Sequence, residues 1–404
     1  MVIKKTALGI GIGATILTGG TVAENATFER LNQYATSTVV VAGEEVKVKD
    51  RITDSEVTLN RWDGEESLTI KRQKDQTNIP FARLLEGSRK EKTIARATTT
   101  NSVEGFEFDI ELTEKPDTNI FTYELEGWED LGFFYQPELT AEEIEQGAER
   151  PENVVGSYAV YHKTKRNHVE GETNYQTGKL FHIYRPLVYD AEGNETWGEL
   201  AYNEGVLTLT VPREFLDGAA YPVVADPTFG YTSVGASVQA YRGGKLLHNL
   251  FQAPENGSIT SVHFASLSTS NTYNSSVGIY SSNKTPGEFN HAFSLLGYTE
   301  EITLNNGATG FHEHLVFGSP IAASSGIFYS LTGWLSVNNT FVKLYYDSGA
   351  TDIETLVTLT YDYPNFTASP TVNPFGDTFV SIYATYEVEA PPVSEVTPPI
   401  NNMV

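Results

Sequence analysis

The chain has 404 residues, enough for two or three domains with cores of their own. Asp and Glu outnumber Lys and Arg by 52 to 27, and a net charge of −25 repels phosphate backbones and anionic headgroups, which argues against nucleic acid and membrane surfaces as partners. The absence of cysteine excludes disulfides, thiol nucleophiles and Cys-based zinc sites.

Lys4 and Lys5 make a basic start, Thr6 to Val22 is uncharged and largely apolar, and Thr21-Val22-Ala23 places small residues before Glu24. This three-part shape predicts a secretory signal peptide over residues 1–23, with an N-terminal arm as the alternative. Its glycines and an apolar run of about 17 residues argue against stable membrane insertion. The expected location is therefore extracellular: secreted, at a cell surface or on a virion.

From residue 27 the chain reads as strands. EEVKVKDRI (44–52), SEVTLNRW (55–62), ESLTIKRQ (66–73) and FEFDIEL (106–112) alternate apolar and polar residues at period two, and NIFTYELEGW (119–128) follows. Thr140-Ala-Glu-Glu143 has the form of a capping box and predicts one short helix ending near Gly147. Strands resume in VVGSYAVYH, KLFHIYRPLVYD, ETWGELAY and VLTLTV, with DAEGNE (190–195) as a glycine-bearing turn.

Residues 1–226 carry 23 basic and 39 acidic side chains, whereas residues 227–404 carry only 4 and 13. Such an abrupt change predicts a boundary between a charged module, 27–226, and a charge-poor one, 229–388. In the second half, short strands such as SITSVHFAS, NSSVGIYSS, IFYSLTGWL, FVKLYYDS and FVSIYATYEV are separated by polar turns. The fold class expected is mainly β, with two β-rich modules, the second a jelly-roll-like β-sandwich. Residues 389–404, APPVSEVTPPINNMV after Glu389, read as a Pro-rich extended tail with no sorting-type motif, so retention at a surface would need a partner.

Candidate sites are sparse. His312 and His314 share a strand face, but two imidazoles do not complete a metal site, and a solvated strand is the plainer reading. Asp190, Glu192 and Asn194 alternate around Gly193 as oxygen ligands do in part of a calcium loop; calcium is the one cofactor suggested, against a plain hairpin turn. Among the aromatics Tyr280, Phe328, Tyr329, Trp334, Tyr345 and Tyr346, Trp334 and Tyr346 stand beside Gly or Asp and are the first candidates for stacking on a sugar ring; core packing is the alternative. Fifty-two acids supply nominal glycosidase pairs without singling one out, and no GxSxG, HExxH, Walker or dinucleotide pattern is present, so no catalytic residue is named. Asp226, between a strand and Pro227, is expected to tie off that strand rather than to catalyse.

KLFHIYRPLVYDAEGNETWGEL and VLTLTVPREFLDGAAYPVVADPT carry a resemblance. The strand into Pro186, the Asp190 to Gly193 turn, the LTLTV strand, Phe215-Leu216, and Tyr221-Pro222-Val223 with Asp226-Pro227-Thr228 resemble a β-rich module of bacterial RHS-repeat and wall-associated surface proteins. The resemblance spans roughly residues 100–228; it implies a non-catalytic module in which Tyr221, Pro222, Asp226 and Pro227 mark the boundary. The YD repeats and toxin end of an RHS protein are absent. The second half is similar to β-sandwich modules of bacterial and phage surface proteins that close with a strand like SIYATY (381–386). The function expected is a non-enzymatic surface structural or adhesion protein with a protein or glycan partner. A self-assembling phage or filament subunit and a glycan-active hydrolase are the alternatives.

Overall fold

Alternation at period two sets most of this molecule, because a strand with one buried face repeats every second residue. The computed structural model describes residues 35–388 apart from 51–55, 73–88, 97–98, 108–109, 113, 227, 231, 243–245, 254, 268–271, 284–292, 306, 337–340, 350–354, 359–365, 367–372 and 375–377. The expected signal segment, the Pro-rich tail and Pro227 lie outside the described residues. The chain is mainly β, in several sheets with sandwich-like packing. Among the described residues, no helix is long and apolar enough to cross a membrane.

In the first half, an antiparallel sheet runs in the order Ala35–Val41, Glu44–Asp50, Glu56–Arg61, Glu66–Arg72, Ile120–Glu126, Val206–Thr210, Glu199–Asn203. Its buried residues, among them Val46, Leu59, Leu68 and Phe121, meet Val160, Phe181, Val188 and Val223 from two further sheets. One of these is ordered Arg89–Arg96, Thr99–Glu107, Thr228–Gly230, Lys179–Ile183, Tyr158–His162, Leu131–Tyr135. The other is ordered Glu195–Trp197, Leu187–Tyr189, Val223–Asp226, Ile110–Leu112.

The second half closes a separate apolar core between two sheets, with Val262, Phe264, Leu344 and Ile382 on one side and Phe251, Val277, Ile279 and Leu331 on the other. Strands of the first half extend one of these sheets. Ala148–Glu149 pairs antiparallel with Ser237–Arg242, and Val169 pairs with Glu387. Thr228–Gly230 pairs with Lys179–Ile183 and so belongs to a sheet of the first half.

The helix Ala141–Glu145 carries the expected capping box: Thr140 Oγ1 accepts from Glu143 N at 3.2 Å and Glu143 returns a carboxylate to Thr140 N at 2.7 Å. A second helix, Arg213–Gly218, was not anticipated. It follows Pro212, buries Leu216 and pairs Arg213 with Asp217 at 2.9 Å, and one and a half turns are too few for a helical period to show in sequence. The boundary strand Val223–Asp226 pairs with Leu187–Tyr189, bringing Asp226 opposite Leu187. Tyr221 and Pro222 are joined by a cis peptide bond, and the Tyr221 hydroxyl donates to Leu216 O at 2.7 Å.

Candidate functional site

The densest chemistry of the described chain lies where the two halves meet. The strands Tyr158–His162 and Lys179–Ile183 pair antiparallel, but the register slips between Val160 and Tyr161, so that Val160 faces Phe181 while Tyr161 faces Lys179. A bulge adds one residue to a strand and re-aims the side chains beyond it. In a regular strand Lys179 and His182, three positions apart, would point to opposite faces. Here both reach Asp347 on the strand Phe341–Ser348 of the second half.

Asp347 is fully buried, as are the side chains of Lys179 and His182. Lys179 Nζ donates to Asp347 Oδ2 at 2.6 Å and to Val234 O at 3.1 Å. The Tyr161 hydroxyl donates to the same Oδ2 at 2.7 Å, and Ala236 N–H donates to Oδ1 at 2.9 Å. His182 Nδ1 stands 3.9 Å from Oδ1. Burial alone would raise the Asp347 carboxyl, but the nearby Lys179 and His182 charges and the Ala236 N–H outweigh it and bring the group down to about 2. Burial, and then the Asp347 charge, push the Tyr161 hydroxyl well above its ordinary value.

Ser157, His182 and Asp347 follow the order of a hydrolase triad, with Ser157 Oγ 2.7 Å from His182 Nε2. The proton logic is the reverse of one. A serine has a single hydroxyl proton, and Ser157 gives it to Val154 O at 2.6 Å, so Oγ accepts from His182 Nε2–H instead of donating to a base. All three residues are at 0% exposure, which leaves no approach for a substrate. The arrangement ties the first half of the chain to the second.

Polar contacts continue around this centre. Gln136 and Ser348 exchange two bonds, Nε2 to Ser348 O and Ser348 N to Oε1, each at 2.8 Å. Arg150 reaches Ser237 Oγ at 2.9 Å, Ser348 Oγ at 2.6 Å and Pro137 O. Lys343 pairs with Glu149 at 2.6 Å. Gly235 lies so close to the Tyr346 backbone that a Cβ there would stand 2.4 Å from the Tyr346 carbonyl carbon, and only glycine permits that approach.

The residues singled out in the sequence fall elsewhere. Trp334 and Tyr346, the candidates for sugar stacking, are 0% and 2% exposed, so neither ring is presented to solvent. Trp334 meets Phe366 edge-on at 4.8 Å, and Tyr346 lies under the Arg150 guanidinium. Of the other four aromatics, Tyr280, Tyr329 and Tyr345 are buried and Phe328 is half-buried. The six lie on three strands, Tyr273–Ser282, Phe328–Leu335 and Phe341–Ser348, each with consecutive buried residues, so an aromatic at either parity is covered.

Asp190 binds its own turn. Oδ1 accepts from Glu192 N at 3.0 Å and Asn194 N at 2.9 Å, while Oδ2 accepts from Asn194 Nδ2 at 2.9 Å and Ala220 N at 3.1 Å. These bonds, the one from the Asn194 side chain foremost, draw its carboxyl down to about 2. They use the four acceptor positions of a carboxylate, and no group of three potential metal ligands gathers among the described residues. Asp190→Ala is expected to lower the thermal midpoint by untying the hairpin from Ala220; an unchanged melting curve would show that the turn holds without it.

His314 is buried, with Nδ1–H donating to His312 O at 3.0 Å and Nε2 accepting from Ser275 Oγ at 2.9 Å, while His312 is half-buried on the same strand.

An exposed group of large apolar side chains was not singled out in the sequence. Tyr298 stacks on Phe317 at 5.6 Å and 13°, and on Phe366 at 5.8 Å and 19°. Phe317 is 61% exposed, and Leu296 and Leu315 stand open at the ends of the strands that flank this corner. Tyr298 and Phe317 each adjoin one end of the Thr299–Val316 bridge, a pairing across 17 positions that no short window of sequence marks. No protein family, curated protein or solved structure matches the chain.

Proposed function

We propose that the protein is a non-enzymatic extracellular structural or adhesion protein, in which the charged first module carries the second and the second contacts a protein or glycan partner. The observation that supports this reading is the junction itself: its most elaborate polar constellation is sealed from solvent and spans the two modules. The signal-like N-terminal segment and the resemblance to bacterial surface modules support the same reading. Asp347, the acid of the triad-like trio, is occupied by Lys179, which disfavours the hydrolase alternative.

Contact with a partner is assigned to the corner formed by Tyr298, Phe317, Leu296 and Leu315, since large exposed apolar clusters mark interaction sites and aromatic rings stack well on sugars. A glycan array probed with the wild-type chain should give binding that Phe317→Ser reduces about tenfold or more, as the loss of a stacking ring predicts. Glycan binding that Phe317→Ser leaves intact would remove the corner from the reading. An array without hits, together with a protein found only inside the cells that make it, would remove the adhesion role.

A further inference from the structure

We propose that Lys179 and Asp347 condense to an intramolecular amide, which would strap the two modules together covalently. Among the described ion pairs, this is the one between fully buried lysine and carboxylate side chains; Lys71–Glu126, Lys115–Asp217, Lys165–Glu66 and Lys343–Glu149 all keep solvent contact. Burying both charges of a pair carries a desolvation cost that a neutral amide does not. Holding amine and carboxyl in contact replaces a bimolecular encounter with an intramolecular one, for which effective concentrations of about 10⁵–10⁸ M are known in well-oriented cases.

The neighbours are placed for each proton. The pair reacts from its minor neutral form, in which Lys179 Nζ has passed one proton to Asp347 Oδ2, 2.6 Å away, leaving an amine and a carboxylic acid. A remaining N–H is held by Val234 O, which fixes the amine against the carboxyl. The nitrogen lone pair then attacks Cγ, one covalent bond beyond Oδ2, and the C=O π electrons move to Oδ1. The resulting oxyanion sits on Ala236 N–H, as in an oxyanion hole. The Tyr161 hydroxyl, bonded to Oδ2, takes a proton from the nitrogen and returns one to Oδ2. Collapse of Oδ1 expels Oδ2 as water. One N–C bond forms and one C–O bond breaks; ammonium and carboxylate become amide and water, with no other reactant.

The inference goes beyond the surface-protein reading and is tested apart from it. The full chain would be denatured, digested with trypsin and weighed. Expected are an uncut Lys179–Leu180 bond, ordinary cleavage after Lys343, and the peptide beginning at Leu344 recovered joined to the one containing Lys179, one water lighter than their sum. Cleavage after Lys179 with the Leu344 peptide recovered alone would overturn the proposal. Asp347→Ala should restore cleavage after Lys179; continued blockage there would exclude Asp347 as the acyl partner. In a time course from freshly refolded protein, Tyr161→Phe should slow the joining by about 10²-fold, the scale of general acid–base help. Joining at the wild-type rate would remove Tyr161 from the step. If either variant fails to fold, the wild-type digest still decides.

Discussion

Lys179→Met is expected to destabilise the protein by about 3–5 kcal/mol, the usual cost of leaving one charge of a buried pair without its partner. The Asp347 carboxylate would keep the Tyr161 hydroxyl and Ala236 N–H, but nothing would balance its charge in a site closed to water. Because Lys179 and Asp347 come from different halves of the chain, the loss should appear first as uncoupling. Thermal unfolding followed by calorimetry should change from one transition to two, with the charged module and the sandwich melting apart. The pair Lys179→Met with Asp347→Leu should recover part of the loss, since no charge is then stranded, though Tyr161 and Ala236 lose their acceptor. A single variant as stable as the wild type would show that the junction is not a lock.

Mild acid should weaken the second module through His314. Burial depresses its pKa to about 4, with the positive charges of His312 and His263 adding to this and carbonyl bonds at His312 and Val262 opposing it. The unfolded chain takes up this proton below about 6.5 and the folded chain only near 4, so stability is complete above the unfolded value and falls as the solution is acidified between the two. The full difference is about 3 kcal/mol, of which about 2 kcal/mol should be lost between pH 7 and pH 5. His162, His263 and His312 are also depressed, each chiefly by burial, and act in the same direction. Denaturant midpoints measured across this range should fall steeply for the wild type and less steeply for His314→Gln. A flat wild-type profile would mean that His314 meets solvent.

Much of the β-architecture was legible because its causes are local. Period-two alternation in SEVTLNRW and ESLTIKRQ specifies strands wherever one face is covered, and both form. The capping box at Thr140 needs only four consecutive residues, and it too is present. Burial was less legible. Trp334 and Tyr346 looked like strand-end aromatics, but the sandwich packs on both faces of their strands and leaves neither ring free. Asp190 looked like part of a cation loop, although its second oxygen is taken partly by Ala220, 30 residues away.

The junction illustrates the division between what the sequence by itself determined and what only the tertiary structure decided. Alternation and turn residues determined a mainly β chain and several of its strands, since these depend on neighbours in sequence, while strands such as Leu131–Tyr135 and Leu246–Gln252 carried no such pattern clearly enough to be named. The meeting of Lys179 with Asp347 spans 168 positions and depends on a one-residue register slip at Val160. No short window of sequence encodes that slip. Two strands, each fixed by its own pattern, pair while both halves bury their apolar faces, and with one residue left over a lysine turns inward to meet a carboxylate from the other half of the chain.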